Sequence, residues 1–385
     1  MTKAILIIIV LLGTYILQGE EKMDLPLYNL QAENYLSFQP KVYPNPDIYF
    51  GYTIPIDNAI ATKNVQSLFG SQYNVSIYKF GKNKLIREDV ISGDLVNGIF
   101  PAFNDRILAV DGHRSIELYD IQKGKYLREM MVCKTLEETV ENFGVIDGEK
   151  MIGLVEIINL GNDDINKRFL KIFNFSGEKP ILLAEKERFY GTSSSGTRRD
   201  KWIIYNNLII VYNYDYIKAY DFKLDETTHP IINAFNKIAQ PNFRKMDEMI
   251  VHPFLPFAVI VEIDKKGRDN YKVWLLKWDE DPAKCMYKLL IKDRPAENFM
   301  LSPDGKWVVF NDSNILNGDI TLYTMPVDTT LPHMLGQPVV LGNIGIDYQK
   351  SMWTRNPMSF VRIGNEQIYR WEFDKLLQQM TGGKK

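Results

Sequence analysis

The sequence predicts an all-β protein: a single seven-bladed β-propeller of four-stranded antiparallel blades. Three observations lead there. The first is a six-residue pattern (apolar, any, apolar, bulky, any, apolar) that recurs along the chain. It reads Val75–Phe80, Ile116–Ile121, Leu170–Phe175, Ile217–Phe222, Val273–Trp278, Ile320–Met325 and Ile368–Phe373, the last copy departing at Arg370. The second is its spacing. Its fourth positions, Tyr78, Tyr119, Phe173, Tyr220, Leu276, Tyr323 and Trp371, follow one another at intervals of 41 to 56 residues. A strand-like unit returning at roughly 40–50 residues marks propeller blades. The third is composition, with 12 % aromatic residues led by Tyr and Phe, which suits pleated, half-buried strands.

The elements follow in order. Ala4–Leu17 is an apolar run behind Lys3, ended by Gln18, Gly19, Glu20 and Glu21. As a helix it would cover about 21 Å, short of the ~30 Å hydrocarbon core. Residues 1–19 therefore read as a signal peptide, with an uncleaved anchor as the alternative, and the body is expected outside the cytoplasm, periplasmic or secreted. Residues 20–34 read as a polar linker. Tyr35–Tyr43 is a strand candidate preceding any complete blade, and Pro44-Asn45-Pro46 breaks the chain after it. Blade one is expected over 48–91, with strands near 48–53, 58–63, 73–80 and 84–91. The next blades take 98–132, 142–187, 202–235, 248–291 and 297–341. Blade seven offers only three strands, near 350–354, 358–363 and 366–373. The orphan strand 35–43 would supply its fourth and close the ring, removing an open edge. The propeller thus spans 35–376, with a C-terminal tail over 377–385, and Asp374-Lys-Leu-Leu-Gln-Gln-Met380 reads as a short helix or a frayed end. Six blades is the alternative if the last unit does not close.

Leu301-Ser-Pro-Asp-Gly-Lys-Trp-Val-Val-Phe310 reads as a tight turn feeding an alternating strand. It resembles the Ser-Pro-Asp-Gly hairpin of TolB-type and WD-repeat-like bacterial propellers. Tyr119-Asp120 and Tyr220-Asp221 are similar to the aromatic–Asp ending of a WD-repeat third strand. The resemblance is one of fold, and propellers host many unrelated activities.

Chemistry is sparse. The four histidines, His113, His229, His252 and His333, lie far apart in sequence and suggest no metal site. Gly191–Thr197 has neither the spacing of a nucleophile elbow nor that of a phosphate loop. The carboxylates at 162–167 and 264–270 do not fit a calcium loop. No catalytic residue, metal or cofactor is assigned. Cys133 and Cys285 fall on blades two and five, too far apart for a disulfide. A net charge of −2 argues against nucleic acid as a partner.

Function is expected from topology. Connections between strands two and three, and between blades, share one face, and most of the long loops lie there: 64–72, 133–141, 161–167, 188–201, 236–247 and 264–270. Long loops on a rigid scaffold concentrate binding residues. The last three carry a basic excess around blades four and five, and Arg198, Arg199, Lys201, Arg244, Lys245, Lys265, Lys266 and Arg268 form the candidate partner-binding set. Loops 133–141 and 161–167 carry an acidic excess around blades two and three. Such a polarised face steers charged partners. The reading is a non-enzymatic binding or scaffold protein, a monomer, engaging a protein or polyanionic partner and touching membrane only if the anchor is retained. One alternative is a propeller hydrolase or lyase acting on carbohydrate or peptide. Another is a purely structural envelope component.

Overall fold

The computed structural model describes residues 26–30, 35–46, 48, 53–56, 58–65, 73–93, 98–103, 107–111, 113–120, 123, 125–159, 167–188, 201–212, 216–236, 246–263, 271–292, 296–314, 319–343 and 348–382. Their strands form seven four-stranded antiparallel sheets. Strand β1 is Lys41–Pro44. Blade one is β2 (Thr53–Ile56), β3 (Ala59–Val65), β4 (Tyr73–Phe80) and β5 (Leu85–Gly93). Blade two is β6 (Gly98–Phe103), β7 (Ile107–Asp111), β8 (Ser115–Asp120) and β9 (Lys125–Met131). Blade three is β10 (Glu138–Asp147), β11 (Ile152–Asn159), β12 (Lys167–Asn174) and β13 (Ile181–Arg188). Blade four is β14 (Lys201–Tyr205), β15 (Leu208–Tyr212), β16 (Ile217–Tyr220) and β17 (Glu226–Thr227), followed by the short helix α1 (Pro230–Ala234). Blade five is β18 (Met246–Val251), β19 (Phe257–Ile263), β20 (Tyr271–Lys277) and β21 (Met286–Lys292). Blade six is β22 (Ala296–Leu301), β23 (Trp307–Asn314), β24 (Asp319–Pro326) and β25 (Val339–Asn343). Blade seven is β26 (Tyr348–Thr354), β27 (Ser359–Gly364) and β28 (Gln367–Glu372), completed by β1.

The recurring hexapeptide falls on the third strand of each blade. The core explains its pattern, because each blade is covered on both faces by its neighbours. Alternate residues of one strand therefore enter two different cores. On β19, Phe257, Val259 and Val261 join the core shared with blade six, while Ala258 and Ile260 join the one shared with blade four. On β23, Val308 and Phe310 face blade five, while Trp307 and Val309 face blade seven. Central strands consequently read as near-continuous apolar runs.

The inner strand of blade one is described over Thr53–Ile56, and residues 49–52 of the expected strand lie outside the described residues. Ile48 is buried in the core between blades seven and one. The segment after the last strand, read as a short helix or a frayed end, is helical. Helix α2 spans Phe373–Gly382, and it buries Phe373 and Leu376 against Trp307 and Trp353.

Ring closure follows the expected route with a shorter strand than the expected 35–43, because Leu36–Phe38 bonds to blade six and pairing with blade seven begins at Lys41. β1 pairs antiparallel with β28, Lys41 opposite Arg370 and Pro44 opposite Gln367. Tyr43 is buried in the joint. Arg370, the residue that breaks the repeat, explains itself here. Its Nε donates to Ser359 Oγ at 3.1 Å, its Nη2 donates to Asn58 Oδ1 of blade one at 2.8 Å, and its guanidinium lies over the Phe80 ring. An apolar side chain would fill the space but not join the first blade to the last.

The segment expected as a linker is docked where it is described. Leu27 N and Tyr28 N donate to Leu289 O and Leu290 O on the outer strand of blade five, at 3.3 and 3.0 Å. Tyr28 and Leu30 are buried in the core of blades five and six, and Tyr28 Oη donates to Leu335 O at 2.7 Å. Farther on, Phe38 N donates to Val340 O and Val340 N to Leu36 O, at 2.9 and 2.8 Å, on the outer strand of blade six. The N-terminal arm thus crosses the outer edges of three successive blades, five, six and seven.

The Ser302–Trp307 turn forms as predicted. Gly305 N donates to Ser302 O at 2.8 Å, and Ser302 Oγ donates to Asp304 Oδ1 at 2.6 Å while accepting from Trp307 N at 3.0 Å. Gly305 has φ +69°, and a Cβ there would meet the His252 ring at 2.6 Å. Gly305→Val should therefore cost about 1–3 kcal/mol. Chemical denaturation of that variant checks it, and an unchanged midpoint would contradict it.

Candidate functional site on the loop face of blades two and three

Of the basic set, Arg198, Arg199, Arg244, Lys245, Lys265, Lys266 and Arg268 lie outside the described residues. Lys201 is described and opens β14 with an exposed side chain. Elsewhere on the loop face, the β7–β8 turn of blade two meets the connection from blade two to blade three.

That corner is built on main-chain bonds. His113 holds φ +71°, a conformation few side chains favour. Its carbonyl accepts from Val140 N at 2.8 Å and from Thr139 Oγ1 at 3.0 Å. Arg114 O accepts from Val132 N at 3.2 Å and Cys133 N at 3.1 Å, and Arg114 Nε donates to Thr135 O at 3.1 Å. Val132 and Cys133 plug the core below. The loop 132–137 is therefore held at several points, yet it presents Leu136 at 85 % exposure, flanked by the exposed Glu137 and near the exposed His113. Sequence reasoning passed over Leu136, because an isolated leucine among charged loop residues carries no periodic signal.

Beneath the loop lies a network of charges. Lys171, on β12, has a fully buried side chain. Its Nζ meets Glu138 Oε1 at 3.1 Å and Glu185 Oε1 at 3.5 Å. Glu185 also pairs with Lys134 of the loop at 2.8 Å. Beside this cluster Arg168 contacts both Glu141 and Glu156, and Trp202 Nε1 of blade four donates to Glu156 Oε2 at 3.0 Å. Burial by itself would raise the Glu138 carboxyl, but Lys134 N–H, the Lys171 ammonium and Thr135 N–H together hold it below the ordinary carboxylate value. The acidic excess expected on loop 133–141 is thereby reduced, since Glu138 and Glu141 are met by cations on a strand that a loop tally omits. The network ties the loop to β12 and β13 through Lys134, Glu138, Lys171 and Glu185.

The described residues include no group of three or more His, Cys, Asp or Glu side chains placed to hold a metal ion. Cys133 and Cys285 are both free thiols. The histidines serve separate elements. His229 Nδ1 caps α1 by accepting from Ile231 N, and His333 packs edge-on to Tyr28. His252 Nδ1 accepts from Phe254 N and Leu255 N, which leaves Nε2–H to donate to Gly305 O at 2.7 Å. Burial lowers the pKa of all three below 6.5, and the Lys288 charge adds to this at His333. A depressed histidine binds its proton more weakly folded than unfolded. Stability should thus be full above about pH 6.5 and fall as pH drops below it, by up to ~1.4 kcal/mol per pH unit for the buried His252 and by less for the two more exposed rings. Urea melts between pH 8 and 5 check this, and His252→Gln should flatten the slope.

No family model matches the sequence, and no curated protein does. Solved structures align with most of the chain. An oligogalacturonate lyase in complex with manganese aligns over 86 % of this chain and 90 % of its own, with TM-score 0.56 and 11 % identity. The AfRom2 CNH domain aligns over 83 % and 95 % with TM-score 0.44 and 10 % identity. Chaetomium thermophilum Sqt1 aligns over 84 % and 96 % with TM-score 0.47 and 10 % identity. At such identity the likeness to the lyase shows the propeller fold and nothing about activity.

Proposed function

We propose that this chain is a non-enzymatic binding or scaffold protein, exported to the periplasm or secreted, that holds a protein or polyanionic partner against the loop face of its ring. One observation carries the reading: the loop at 132–137 is fixed by several hydrogen bonds and a buried ion-pair network, yet it displays Leu136 to solvent. Covering a leucine side chain is worth about 1.5–3 kcal/mol, and a loop already fixed loses little further entropy on binding. The basic set at Arg198, Arg199, Lys201, Arg244, Lys245, Lys265, Lys266 and Arg268 would steer an acidic partner and act mainly on the association rate. The apolar run Ala4–Leu17 supports export.

The test is capture from envelope and culture fractions, then direct binding of the purified partner. Leu136→Asp should speed dissociation without shifting the thermal transition. Reversing Arg198, Arg199, Arg244 and Lys245 to Glu should slow association and flatten its salt dependence. Partner affinity unchanged by both variants would contradict the proposal. Cleavage of oligogalacturonate by the purified protein with manganese would put the lyase alternative first.

A further inference from the structure

The ring treats its outer edges in two ways. Those of blades five and six are covered by the chain's own arm, and that of blade seven is β1 itself. The sheets of blades one, two and three end at β5, β9 and β13, with no further strand added among the described residues. Most of the large apolar side chains left exposed among the described residues sit on these three strands, including Ile86, Tyr126 and Met131. β13 is the extreme case, because Ile181, Leu182 and Leu183 are consecutive and exposed at 58, 38 and 50 %. An edge strand offers a row of main-chain donors and acceptors, and proteins usually blunt it with charge, proline or a covering segment. The charges of β13 lie at its other end, and those of Glu185, Lys186 and Glu187 are engaged. Glu185 binds Lys134 and Lys171, Lys186 Nζ donates to Leu224 O, and Glu187 pairs with Lys167.

We propose that the free edge of β13 is a strand-addition site for an extended apolar segment of another protein, laid along the rim as this chain lays its own arm on blades five and six. The arm's seat occupies the same outer-strand position, blade by blade, and the rim continues around the ring to blade three. On blades five and six main-chain N–H groups of the arm meet carbonyls of the outer strand, and an aromatic anchor, Tyr28, enters the core. Main-chain bonding of this kind supplies affinity, and side-chain seats supply selectivity. With Glu185, Lys186 and Glu187 engaged, the part of the segment over 181–183 is uncharged. This site is separate from the loop face and stands or falls independently of it.

The probe is a fluorescent peptide of residues 26–44 of this chain, titrated into the full-length protein. Saturable binding is expected, weakened about tenfold by Ile181→Asp with Leu183→Asp and unchanged by Leu136→Asp. Both substituted residues of the pair are exposed, so circular dichroism and the melting temperature should match the parent and exclude misfolding as the cause. Absence of saturable binding overturns the proposal. So does equal binding to the double variant, which would place the peptide on blades five to seven instead. So does parent protein that self-associates at assay concentration while the double variant stays monomeric, which would make a second copy the occupant.

Discussion

Deleting residues 1–44 should leave a protein without a cooperative unfolding transition at 25 °C. The arm contributes three buried anchors, Tyr28, Leu30 and Tyr43. At about 1.5–3 kcal/mol each they account for roughly 5–9 kcal/mol, much of the 5–15 kcal/mol that a folded domain typically holds. The deletion also uncovers the edges of β21, β25 and β28 together, so the product should aggregate. A milder truncation separates the parts. Removing residues 1–34 keeps β1 and loses only Tyr28 and Leu30, so it should lower stability by about 3–6 kcal/mol while the ring stays closed. A sharp, unshifted melt in the longer deletion would show that the arm is dispensable.

The second large effect lies under the candidate site. Lys171→Met removes the cation between Glu138 and Glu185 and leaves a buried carboxylate with only main-chain donors. Breaking a buried pair from one side costs about 3–5 kcal/mol, whereas replacing both partners is far milder. Lys171→Met with Glu138→Gln should therefore recover much of the loss. The pH dependence has a defined sign. The depressed Glu138 carboxyl adds stability that is complete above its ordinary value of about 4.5 and lost as pH falls through the lowered one. Lys171→Met should weaken this acid dependence. A single variant within 1 kcal/mol of the parent would mean the network is not the support assigned to it.

The fold was legible because propeller strands two and three are buried on both faces, so positions such as Tyr78, Tyr323 and Trp371 must repeat. Ring closure was legible too, from an orphan strand at one end and a missing strand at the other. The strap was not. Tyr28 and Leu30 are two anchors in a polar stretch, too few to make a period, and their seats on blades five and six are set by tertiary contact. The buried charges escaped for a related reason. Lys171 occupies a position of the repeat where Ser76, Glu117 and Lys218 also stand, and the position alone does not say that Glu138 comes from another strand to meet it. Arg370 was visible as an exception, but Asn58 and Ser359 had to be placed before it had a meaning. As for function, the basic loops were legible as charge and Leu136 was not legible at all, since loop geometry rather than pattern makes it prominent.

The closed, strapped ring is the central claim, and a cross-strand disulfide tests it most directly. Val42 lies opposite Tyr369 in the β1–β28 pair. With Val42→Cys and Tyr369→Cys, mild oxidation should give a disulfide within one chain, identified by peptide mapping against the native thiols Cys133 and Cys285, together with a raised melting temperature. A disulfide formed only between chains, or none under conditions that oxidise free dithiols, would contradict closure by the N-terminal strand.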